Sequence, residues 1–160
     1  MKRQLMPAAA ARARRSAGFT LVELLIAVAI VGILAAIAYP SYIGSITKTK
    51  RRAAEVCLSS FATHMERYYT TNLRYDRDTA GVAITSAALT GLGLDCASAD
   101  NTGKSYSYTF AAGSPTATTY TLQAVPNAQQ AARDARCGTL TLTQAGVRGI
   151  TGTTSVAQCW

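Results

Sequence analysis

One carboxylate, Glu23, stands alone in an apolar run that is otherwise uncharged from Phe19 to Ala38. A bilayer-spanning helix needs about 20 residues, and this run has the length. An acid inside such a segment costs roughly 2.5–3.5 kcal/mol on insertion scales, so its presence demands a partner. Five cations precede the run (Lys2, Arg3, Arg12, Arg14, Arg15) and no acid does. That asymmetry predicts a cytoplasmic leader and export of everything downstream. A cleaved secretory signal would have an apolar core of roughly 7–15 residues ending in small residues. Tyr39-Pro40-Ser41-Tyr42 is no such end, so the expected cut precedes the run, between Gly18 and Phe19. The new amine at Phe19 would lie one helical turn from Glu23, in its own chain or an adjacent one. Paired, the acid can enter a dry core. Unpaired, it is strongly penalised there, so the pair also discriminates register.

Gly18-Phe19-Thr20-Leu21-Val22-Glu23-Leu24-Leu25 resembles the processing and methylation signature of type IV pilins and the related pseudopilins. The resemblance implies that a prepilin peptidase cuts after Gly18 and N-methylates Phe19, and that Glu23 is the assembly glutamate. It implies three segments: a cleaved leader 1–18, a transmembrane and filament-core helix 19–40, and a globular head 41–160. The chain would wait in the bacterial inner membrane as a single pass with its amino terminus cytoplasmic, then join an extracellular pilus. The partners implied are other pilin subunits in a helical filament, the prepilin peptidase and the inner-membrane assembly platform.

Of the sixteen Lys and Arg in the 160 residues, five lie in the leader. The remaining eleven face eight acids, so the formal net charge falls from +8 to +3 on cleavage. The basicity is thus largely an orientation signal and weak evidence for a nucleic-acid partner. Four cysteines in an exported chain read as oxidised. Three pairings are open. The favoured one closes the last segment with Cys137–Cys159 and ties the long helix to the following loop with Cys57–Cys96. The alternative leaves Cys57 as a small buried residue and Cys96 free. No CxxC pair occurs and His64 is the only histidine, so no metal site is expected.

The pattern predicts an α+β fold: a long kinked helix packed on an antiparallel meander of three to four strands, as in the type IV pilin fold. Thr20 and Glu23 fit a capping pair at the helix start, near Phe19. Gly32 and Pro40 weaken the helix midway, with a kink expected at Tyr39–Pro40. Beyond Pro40, Ile43, Ile46, Ala54, Cys57, Leu58, Phe61, Met65 and Tyr68 form a stripe at spacings of three and four, with a gap near Lys50. Lys48, Lys50, Arg51 and Arg52 read as a solvated basic turn, or as contacts to headgroups or acidic neighbours. Residues 71–103 read as a long loop with a short turn of helix near Ser86–Thr90. Alternation then marks strands through Tyr106, Tyr108 and Phe110, through Tyr120, Leu122 and Ala124 across the turn Gly113-Ser114-Pro115, and through Leu140 and Leu142. A short fourth strand is expected around Gly149–Val156. The run Cys137–Gly149 and the terminal Cys159-Trp160 resemble the closing hairpin and disulfide loop of minor pilins of the PilE kind, and Glu66–Asn72 resembles the end of their long helix.

The favoured function is a structural subunit of a type IV pilus, a minor pilin aiding filament assembly. A type II secretion pseudopilin is one alternative, weakened because a calcium site needs several oxygen ligands and only Asp134 follows Asp100 among the acids. A DNA-binding uptake pilin is another. Arg133, Arg136 and Arg148 would form a basic patch near the disulfide loop, with Tyr106, Tyr108 and Tyr120 for stacking. Alternating tyrosines on strands read first as core, so nucleic acid ranks behind filament neighbours as a partner. No enzyme and no cofactor are expected, since His64 lacks a carboxylate orienter and a nucleophile motif.

Overall fold

The computed structural model describes residues 18–160. The leader cations Lys2 to Arg15 lie outside the described residues. Helix α1 runs from Leu21 to Asn72 and its helical assignment continues through Gly32 and Pro40. It starts two residues later than expected because Thr20 caps it: the Thr20 Oγ1 accepts the Glu23 N–H at 3.2 Å. The chain divides between Tyr39 and Pro40 into two compact units. Within the first unit every described side chain is exposed, including the apolar ones from Leu21 to Ile37.

In the second unit the sheet is a simple antiparallel meander, β1 (Tyr106–Phe110), β2 (Thr121–Pro126), β3 (Leu140–Thr143) and β4 (Arg148–Ile150), in that spatial order. Register sets Phe110 opposite Leu122, Leu122 opposite Leu142, and Leu140 opposite Ile150. Alternation therefore puts Tyr106, Tyr108, Phe110, Leu122, Ala124, Leu140 and Leu142 on one buried face. Ala54, Cys57, Leu58, Phe61 and Met65 of α1 join them in one core, with Phe61 and Tyr108 ring centroids 5.0 Å apart. Helix α2 (Ser86–Gly91) inserts Leu89 into the same core, followed by a 3₁₀ turn at Asp95–Ala97.

Several expectations shift. Ile43, Ile46 and Tyr68 are only half-buried, whereas Thr47 and Arg51 are buried and fill the gap in the stripe. The basic group is accordingly not one solvated turn. Lys48 and Arg52 are exposed while Arg51 points inward. The fourth strand is Arg148–Ile150, earlier and shorter than the expected Gly149–Val156. Two short helices were not foreseen, α3 (Ala128–Arg133) between β2 and β3, and α4 (Val156–Cys159) at the end.

Candidate functional site

The site is built where α3, the C-terminal loop and α1 meet. Asn127 caps α3, its side chain accepting the Gln130 N–H at 2.8 Å. That short helix holds Gln130 inward, where its Nε2 donates to the Thr47 carbonyl and to the Tyr106 hydroxyl, each at 3.1 Å. One turn further along both helices, Arg51 Nη1 meets Asp134 Oδ1 at 2.6 Å and Arg51 Nη2 reaches the Gln158 carbonyl at 3.3 Å. The ion pair is nearly solvent-free, with side-chain exposures of 9% and 10%. Removing one partner from such a pair costs about 3–5 kcal/mol.

Consequences for charge follow directly. Asp134 is the only acid after Asp100, and Arg51 neutralises it. Arg133, Arg136 and Arg148 are all exposed and meet no local counter-charge from that part of the chain. The Cys137–Cys159 bridge, with Cα atoms 5.6 Å apart, closes the loop that carries Arg148, and Arg136 stands immediately before its first cysteine. Gly152 packs against the Arg136 carbonyl so closely that any Cβ there would collide with it. Arg148 lies over the Trp160 ring, 5.2 Å from its centroid, and the indole N–H donates to the Gly149 carbonyl at 3.0 Å. Lys48, Arg51, Asp134, Arg136 and Gln158 line a cleft of about 410 Å³. Burial raises the Glu55 carboxyl above its ordinary value, opposed by Arg51, Arg52 and Arg148. Cys57 and Cys96 are bridged elsewhere, fastening the segment after α2 to the long helix.

Tyr106, Tyr108 and Tyr120 are 2–3% exposed and cannot stack on anything outside the core. The half-exposed Trp160 is the aromatic at this surface, and the expectation had passed over it. At the other end, Gly18, Phe19 and Glu23 are exposed beside the capped start of α1.

The family described as "Type IV minor pilin ComP, DNA uptake sequence receptor" matches residues 40–141, most of the head and over half of the chain. The chain belongs to this family of type IV minor pilins. A prokaryotic N-terminal methylation motif matches residues 13–39, across Gly18, Phe19 and Glu23. The major pilin PilA of Myxococcus xanthus is 43% identical over 61 residues, a match spanning 38% of this minor pilin and 28% of PilA. A type IV pilin structure from Shewanella oneidensis is 24% identical, with a TM-score of 0.43 over 71% of this chain and 97% of that one. The methylation motif and the apolar helix fit a membrane-anchored pilin.

Proposed function

We propose that this minor pilin is cut between Gly18 and Phe19, methylated at Phe19, and drawn by the inner-membrane assembly platform into a filament, where its head binds DNA. Leader 1–18 stays in the cytoplasm, 19–40 becomes the lipid-facing and then filament-core segment with a hinge at Gly32 and Pro40, and 41–160 faces outward. The observation that carries the DNA reading is the exposed cationic surface beside the Cys137–Cys159 bridge. With Asp134 spent on Arg51, the exposed Arg133, Arg136 and Arg148 present guanidinium groups around a bridged loop, next to an indole, with Glu55 the acid that Arg148 feels. Guanidinium groups meet phosphates, and an aromatic edge offers a base-stacking platform. The family to which the chain belongs is described as a DNA uptake sequence receptor, which supports the same reading.

Counterion release gives the test. Binding of a duplex to the mature chain in detergent should weaken steeply with salt, log affinity falling linearly with log salt. Arg136→Ala plus Arg148→Ala removes two phosphate contacts, so the slope should fall by about 2. Absence of binding at low salt would remove the DNA reading and leave the filament subunit standing.

A further inference from the structure

Two residues of α1 and two at α3 interlock. Thr47 and Arg51 stand four apart, as do Gln130 and Asp134, so each pair shares one helical face. Thr47 meets Gln130 and Arg51 meets Asp134, at 3.1 and 2.6 Å. The same Arg51 holds Gln158, the neighbour of Cys159, so one guanidinium grips the chain on both sides of the Cys137–Cys159 bridge. The members are buried: Thr47 5%, Arg51 8% and Gln130 3% exposed. Arg51 Nε is sealed from solvent. Thr47 and Gln130 are closed off from a large ligand and Arg51 and Asp134 are reached only through the cleft, yet the exposed Arg133 adjoins Asp134 and the exposed Arg136 lies two residues beyond it.

We infer that this lock positions the cationic surface: Thr47–Gln130 and Arg51–Asp134 hold Arg133 and Arg136 in fixed relation to Arg148 and Trp160. The inference rests on the DNA reading above. Phosphates on a duplex are regularly spaced, so cations held at fixed separations meet several of them together. Cations on a loose loop must be ordered during binding, which weakens it.

Charge and position make opposite forecasts for Asp134→Asn. The variant gains one net positive charge, so electrostatics alone predicts tighter binding and a steeper salt slope. Positioning predicts the reverse. We expect full-length mature Asp134→Asn in detergent to bind a short random-sequence duplex about three- to tenfold more weakly, with a salt slope lower by about 1. Gln130→Leu alters no charge and should shift both quantities in the same direction. Melting curves report the folded fraction. A merely structural role would lower the melting temperature and leave the folded molecules' affinity and slope at wild-type values. Either variant binding with wild-type slope and affinity, or Asp134→Asn binding more tightly, overturns the inference. Failure of the DNA reading looks different, because the wild-type chain itself then shows no binding at low salt.

Discussion

Glu66 gathers two phenols. The Tyr120 hydroxyl donates to it at 2.9 Å and the Tyr75 hydroxyl at 3.1 Å, so one carboxylate on α1 fastens both the sheet and the segment after the helix. Hydrogen bonds to a charged group are worth about 1.5–3 kcal/mol when shielded and less at a surface. Glu66 is exposed, so Glu66→Ala should destabilise the head by about 1–3 kcal/mol in a denaturant melt, and Glu66→Gln by less. Burial pushes Tyr75, Tyr106 and Tyr108 from the ordinary value near 10 up to about 12, with the Glu66 bond adding to the rise at Tyr75. Tyr120 is raised by burial and then by Glu66. A phenol held protonated in the fold contributes stability that is fully present below its unfolded value and lost as pH climbs through the folded one. The head should therefore stay folded below pH 10 and unfold cooperatively between 10 and 12, tyrosinate absorbance rising together with loss of circular dichroism. Phenols titrating near 10 in a chain that stays folded would contradict their burial.

At the scale of elements, what was legible had a period. Strands β1 to β3 alternate core and surface residues, and the lower stripe of α1 repeats at three and four from Ala54 to Met65. The gap near Lys50 was legible only as a gap, because its filler, Arg51, is explained by an acid 83 residues away. Helix α3 has six residues, too few for periodicity, although Asn127 followed three residues later by Gln130 is a capping-box spacing that marks its start. Strand β4 pairs Gly149 with Thr141, where a Cβ would crowd the threonine hydroxyl. The N-terminal methylation motif was legible, and the place of Trp160 beside Arg148 was not, since one aromatic has no pattern. The segment between α1 and β1 had no sustained period either, and the Cys57–Cys96 bridge, spanning 39 residues, ties it to the long helix. In the chain-entropy model a loop of that size is worth about 3–4 kcal/mol. Cys57→Ala plus Cys96→Ala should lower the head's stability by about that amount. Proteolysis should then begin between Ser86 and Gly103, and an unchanged cleavage pattern would mean the core holds the segment unaided.

For the whole molecule the decisive asymmetry is between a head with a closed core and an apolar helix whose large side chains all face outward, from Phe19 to Tyr39. A patch of that extent does not persist in water. In the function proposed above, lipid covers it before assembly and neighbouring pilins afterwards, and the two covers would treat Glu23 differently. In lipid the acid is a cost, roughly 2.5–3.5 kcal/mol. Among neighbours it becomes a register mark, because a cationic Phe19 amine must stand beside it or both charges stay unpaired. Glu23→Ala separates these roles. The Gly18–Phe19 bond is untouched, so processing should proceed and the mature chain should still begin with methylated Phe19. Loss of the acid should make the chain sit in the membrane at least as firmly as before. Its recovery in sheared filaments should fall, by about a hundredfold or more if the pair is worth the roughly 3–5 kcal/mol typical of a buried pair broken on one side. Quantitative mass spectrometry of filament and membrane fractions reads all three outcomes at once. Wild-type recovery in the filament fraction would mean that apolar packing alone selects the register, and that the carboxylate is tolerated rather than used.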